Sequence, residues 1–165
     1  MFYDYFETGL IGVLTLVADE EGLRHIVFPK EKNPIIIRED WKNDSDFFAE
    51  VKAQLRLYFK GELKQFYLAL APVGTPFQLK VWEALRAIPY GELVTYKTIA
   101  EAIGAPKAVR AVGAANGRNP LPIVVPCHRC IGSDGSLTGF GGGLDTKKRL
   151  IDLELSCVAA PRRRI

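Results

Sequence analysis

The first 126 residues hold no cysteine, and the whole chain of 165 has only three, with two histidines. An odd count confined to the last part of the chain excludes a disulfide framework and implies reduced thiols. So few histidines leave little room for metal chemistry, and no metal ligand set is expected. No apolar run approaches the roughly 20 residues that span a bilayer, and no membrane partner is expected. The opening "MFYDYFETG" lacks the basic and apolar regions of a signal peptide, which makes the cytoplasm the expected compartment. Internal repeats and low-complexity tracts are also missing.

What the chain does have is a hydrophobic share of 48%, enough for a globular core. Its charge is small overall at +3, but unevenly placed. Residues 1–76 carry 9 basic and 12 acidic side chains, and residues 77–165 carry 13 and 7. A polyanion, if one binds, is expected on the second half.

The first half reads as α/β. "VLTLVA" and "LRHIVF" flank the turn "DEEG" as a hairpin, "DSDFFAEVKAQLRLYFKGEL" is helical with Phe48, Val51, Leu55 and Phe59 in register, and "FYLAL" reads as a further strand. "APVGTP" is the expected linker. At its end, Thr75 and Pro76 open a helix that carries Phe77, Val81, Leu85 and Ile88 on one face. Two shorter helices separated by "GAP" then suit a helix-turn-helix, although such pairs also occur in proteins that never touch DNA. "GGGLDTKKRLIDLELS" reads as a last helix entered from a glycine loop.

The chemistry concentrates in "IVVPCHRCIGSDG". Cys127 stands directly before His128, and a thiol becomes a strong nucleophile once a neighbouring imidazole helps to ionise it. Adjacent side chains of an extended segment point to opposite faces, so a bridging water is the expected link. The imidazole in turn needs a carboxylate to fix its tautomer. Glu154 is the candidate, because it falls on the apolar stripe of the last helix three residues after Ile151; an exposed position at the stripe edge is the alternative. Cys127 and Cys130 also form a C-x-x-C pair, but the turn that follows does not supply the helix start of a redox pair, and no second pair completes a zinc site. Cys157 reads as a small core residue.

Pro126-Cys127-His128-Arg129, "IPYGE", "AVRAVGAANGRNP" and the loop "TGFGGG" occur in fixed order over residues 76–155. In these motifs the chain resembles the O6-alkylguanine-DNA alkyltransferases, also called methylated-DNA protein-cysteine methyltransferases. The resemblance implies an N-terminal ribonuclease H-like α/β domain over 1–70, a linker at 71–76, a mainly helical domain with a helix-turn-helix over 77–158, and a basic tail at 159–165. It implies suicide repair without a cofactor, in which an alkyl group passes from guanine O6 in double-stranded DNA to Cys127. Activity on O4-alkylthymine stays open, as does cooperativity of an expected monomer.

Carried over residue by residue, the resemblance makes Cys127 the nucleophile, His128 its water-bridged base and Glu154 the group that orients His128. Asn119 would be the hinge that holds the cysteine segment, and Tyr96 would donate its hydroxyl toward the departing base. Gly141 would offer a backbone N–H, the carbonyls of Cys127 and Cys130 would accept from the exocyclic amine, and Phe140 would supply packing surface. Arg110 would fill the stack left by a flipped nucleotide, and Ala111, Gly113 and Ala114 would allow close approach to a minor groove. Two positions depart from the family pattern: Cys130 stands where an aliphatic residue is usual, introducing a second thiol, and Phe140 where tyrosine is more frequent. A DNA-damage binder without transfer activity and a cysteine hydrolase are the rival readings.

Overall fold

The computed structural model describes residues 1–158; the basic tail expected at 159–165 lies outside the described residues. Strands β1 (Phe2–Glu7), β2 (Val13–Asp19) and β3 (Gly22–Val27) form an antiparallel meander, and the short β4 (Lys42–Asn43) pairs parallel with β1, giving the order β3-β2-β1-β4. Leu14 and Leu16 of β2 share one face of the sheet, as period-two alternation requires, and both are fully buried. They enter the same core as helix α1 (Ala49–Phe59), whose buried stripe is centred on Leu55 and Tyr58, with Phe48 just before it. Val51 and Phe59, expected on the same stripe, are only half-buried.

The strand expected at "FYLAL" does not form. Its backbone meets β3 at one parallel bridge, Leu23 to Leu70, with Leu23 N–H donating to Ala69 O at 2.9 Å and Ala71 N–H to Leu23 O at 2.9 Å. Further pairing is pre-empted by Gln54 on α1. Its side-chain amide takes both backbone groups of Tyr67, accepting from the N–H at 2.9 Å and donating to the carbonyl at 3.0 Å. Gly22 permits the bridge, because a Cβ there would lie 2.6 Å from Ala69 O.

The second part of the chain is mainly helical: α2 (Pro76–Arg86), α3 (Tyr96–Ala102), α4 (Val109–Gly117) and α5 (Leu144–Val158). Helix α2 starts where expected, since Thr75 accepts from Gln78 N–H and Gln78 returns a bond to the Thr75 backbone. This reciprocal cap contributes about 1 kcal/mol. Trp82 ties α2 to α4 by donating from Nε1 to Ala115 O at 2.9 Å. Short parallel strands β5 (Val94–Thr95) and β6 (Cys130–Ile131) pair Val94 with Cys130, and so draw the start of α3 beside the segment that carries Cys127. The sheet and helical parts join through Ile26 N–H, which donates to Pro120 O at 2.9 Å, and through one continuous apolar core.

Candidate active site

Between α4 and β6 the chain runs buried from Leu121 to Cys130. Ile123 adopts φ +76, a strained conformation for a β-branched residue. Asn119 fastens this run: its Nδ2 donates to Val125 O at 2.8 Å and its Oδ1 accepts from Leu121 N–H at 3.0 Å. Cys127 to Arg129 then form a single 3-10 turn. The extended path assumed from sequence is thereby corrected, since the glycine-poor run closes on itself when Arg129 N–H donates to Pro126 O at 3.0 Å.

Glu154 is buried, not at the stripe edge, with 1% of its surface exposed. It gathers donors from three parts of the chain. Tyr58 Oη donates to Oε2 at 2.6 Å, Gly91 N–H to Oε1 at 3.1 Å, and Arg129 Nε and Nη2 to Oε1 and Oε2 at 2.7 and 3.2 Å. His128 Nε2 completes the set at Oε2. Burial acts to raise the carboxyl pKa, but the bonds and charges of His128 and Arg129 outweigh it and hold the group well below the usual carboxylate range. An ionised Glu154 fixes the His128 proton on Nε2. Nδ1 is then a lone-pair acceptor, buried and without a hydrogen-bond partner among the described residues.

Burial pushes the His128 pKa below its ordinary 6.5, against the pull of Glu154, so the imidazole is neutral in the fold. Unfolding exposes it to protonation below pH 6.5; the unfolded chain then binds more protons, and stability falls as pH falls. Glu154, depressed from 4.5, adds a second loss below that value. Urea unfolding should show stability level between pH 7 and 8 and dropping below 6.5 by at most about 1.4 kcal/mol per pH unit for each proton. His25 is also lowered by burial, so the share that belongs to His128 is the part that His128→Gln removes.

The Cys127 thiol is itself pushed up to about 11, because burial outweighs the Asn119 amide and the Lys147 charge. It lines a cavity of about 570 Å³ together with Asn119, Phe140, Gly141, Asn116 and Glu31. Of the sequence-predicted residues, the fold therefore brings Cys127, Asn119, Phe140 and Gly141 to one cavity, while His128 and Glu154 are paired with each other off its lining. Tyr96 and Cys130 are not on its lining. The Tyr96 hydroxyl is engaged with the glycine loop, donating to Thr138 O at 3.0 Å. Arg110, Ala111 and Ala114 are exposed on α4 and Gly113 is half-buried there, forming a surface of small side chains beside one guanidinium.

Sequence reasoning missed five participants. Arg129 lay in the quoted motif but had no assigned role. Lys147 falls on the stripe of Leu150, Ile151 and Glu154, which was a usable signal; it is fully buried, and its Nζ donates to Cys130 O at 2.7 Å and Thr138 O at 3.0 Å. Tyr58 is separated from Glu154 by 96 residues, and no local pattern links them. Asn116 is 2% exposed, and its amide has no partner among the described residues. Glu31 comes from the sheet half. No group of three or more His, Cys, Asp or Glu side chains among the described residues could hold a metal ion, and no described helix is long and apolar enough to cross a membrane.

The buried Cys127 thiol on the cavity lining is followed in the chain by His128, a neutral imidazole held by the ionised Glu154, and these are the residue types from which nucleophilic cysteine sites are built. Two family models match the chain: the ribonuclease-like domain of 6-O-methylguanine DNA methyltransferase over residues 1–72, and its DNA binding domain over residues 76–156. The methylated-DNA protein-cysteine methyltransferase of Methanosarcina acetivorans is 54% identical over 157 residues, which cover 95% of this chain and 100% of that protein. The Haemophilus influenzae protein of the same name is 45% identical, over 93% of this chain and 86% of its own length. Among solved structures, Mycobacterium tuberculosis OGT in complex with DNA superposes with a TM-score of 0.88 at 44% identity, covering 95% of this chain and 94% of that one. The chain belongs to the 6-O-methylguanine DNA methyltransferase family.

Proposed function

We propose that this protein repairs DNA by moving the alkyl group of O6-alkylguanine onto its own Cys127. The observation that carries the assignment to Cys127 is its place on the cavity lining, directly before the His128 of the His128–Glu154 pair. In the reaction the Cys127 proton leaves through a water to His128 Nδ1, the sulfur attacks the alkyl carbon, and the carbon–O6 bond breaks. The guanine takes up a proton at the end. Glu154 stays ionised throughout and stabilises the imidazolium that forms transiently. The product thioether has no good leaving group, so each molecule acts once.

Helices α3 and α4 serve as a helix-turn-helix, with Arg110, Ala111, Gly113 and Ala114 of α4 set into the minor groove. Tyr96 turns its hydroxyl from Thr138 O to the entering base, the Cys130 carbonyl receives the exocyclic amine beside Lys147, and Gly141 donates from its backbone. The ribonuclease H-like domain over 1–70 corresponds to the sheet half, and the link expected at 71–76 ends one residue late, since Pro76 already opens α2. The DNA complex of the tuberculosis relative and the basic second half support duplex DNA as the partner, in a cytoplasmic monomer.

Incubation with O6-methylguanine duplex followed by peptide mass spectrometry should find one methyl per protein, on the peptide that contains Cys127. A methyl on Cys130 or Cys157 would overturn the assignment. No label would point to a damage binder, and repeated turnover to a hydrolase.

A further inference from the structure

The cavity that holds Cys127 is not built from the helical half alone. The segment after β3 closes one side of it: the rings of Phe28 and Phe140 lie 5.3 Å apart, and a Cβ on Gly142 would come 2.5 Å from the Phe28 ring. Three residues on, the Glu31 carboxylate rests against Gly141, where a Cβ would lie 2.8 Å from Oε2. A side chain at position 141 would displace the carboxylate from this place. Glu31 is half-buried and has no ion-pair partner among the described residues. The other ion on the lining, Arg118, is exposed.

We propose that Glu31 is a specificity-determining residue, whose negative charge beside Gly141 selects against anionic O6-alkyl groups. The inference rests on Cys127 as the alkyl acceptor. An alkyl group that reaches Cys127 within this cavity shares it with the carboxylate. Burial raises the Glu31 pKa from 4.5, yet the group still acts as a negative charge on Cys127, adding to the rise of the thiol. That effect on the thiol is common to every substrate. A second carboxylate carried by the alkyl group would meet like-charge repulsion in a partly desolvated space, whereas a neutral group of the same size would not. Lys147, which lies behind the Cys130 carbonyl, is the same for both.

The test compares duplexes with O6-(carboxymethyl)guanine and its neutral isostere O6-(carbamoylmethyl)guanine, in the wild type and in Glu31→Gln and Glu31→Asp. In each case the sulfur–carbon bond forms as the carbon–O6 bond breaks, with the thiol proton lost and one regained by guanine. The wild type should favour the amide, and Glu31→Gln should shrink that preference by about tenfold, the scale expected for like charges in a partly solvated cavity. Glu31→Asp should retain most of it. The ratio cancels changes in folding or thiol reactivity. A ratio within twofold of wild type in Glu31→Gln overturns the inference, whatever happens to the separate rates. If neither group, nor methyl from an O6-methylguanine duplex, appears on Cys127 of the wild type, the acceptor reading fails as well; transfer to Cys127 with an unmoved ratio defeats this inference alone.

Discussion

Glu154→Gln should cost both the fold and the reaction, by more than any other single change outside Cys127. The substitution keeps the volume but removes the charge that faces Arg129 and His128. It also puts an amide NH₂ where five donors converge, so at least one buried donor loses its acceptor. Stripping one partner from a buried ion pair costs about 3–5 kcal/mol, which for a chain of this size lowers Tm by roughly 10 °C. The reaction suffers separately, because an imidazole without its carboxylate no longer keeps the proton on Nε2 and a free lone pair on Nδ1. Methyl transfer measured well below Tm should fall on the order of 10³-fold. Tyr58→Phe provides the calibration. It removes one hydrogen bond to Glu154 and should cost about 1.5–3 kcal/mol while leaving the charge and the His128 tautomer in place. If Glu154→Gln slows transfer no more than Tyr58→Phe does, Glu154 is a structural residue and not an orienting one.

Arg110→Ala should slow repair of duplex DNA by about 10²-fold and barely change the reaction with free O6-benzylguanine. Arg110 is exposed on α4 and off the Cys127 cavity lining, and its side chain is long enough to enter a stack from a helix whose neighbouring residues are small. Extruding a paired base costs a few kcal/mol, and a side chain that replaces it in the stack offsets part of that cost. The free base is already unstacked and gains nothing from the arginine. The comparison needs single-turnover rates on both substrates for both proteins. Equal losses on the two would remove Arg110 from base extrusion and assign it to folding or chemistry.

Periodicity made the helices legible. Val81 and Leu85 of α2 are buried, Phe77 is half-buried, and Ile88, expected on the same face, is buried but lies beyond the helix end at Arg86; Thr75 caps α2 as its residue type requires, and the last helix follows the glycine loop. The failures have a common physical origin in partners far apart along the chain. "FYLAL" has the composition of a strand, but both backbone groups of Tyr67 go to Gln54, a side chain whose orientation is fixed only by tertiary packing. The Glu154 cluster was half visible. A carboxylate on an apolar stripe marks a buried anion, yet nothing in "AQLRLYF" marks Tyr58 as its partner. The cavity was legible from the motif side, through Cys127, Asn119 and the glycine loop. Its other wall, Phe28 and Glu31, comes from an irregular segment with no periodic signal.

The thiol that burial pushes up to about 11 has a consequence for the lifetime of the unreacted protein. A thiol raised in this way is almost wholly protonated at pH 7. Peroxides and soluble electrophiles react with the thiolate, so an idle molecule is nearly inert to them. A catalyst that turns over can tolerate occasional side reactions, but a protein consumed by one event is lost to each. Keeping the sulfur protonated therefore lengthens the time for which a copy stays competent between lesions.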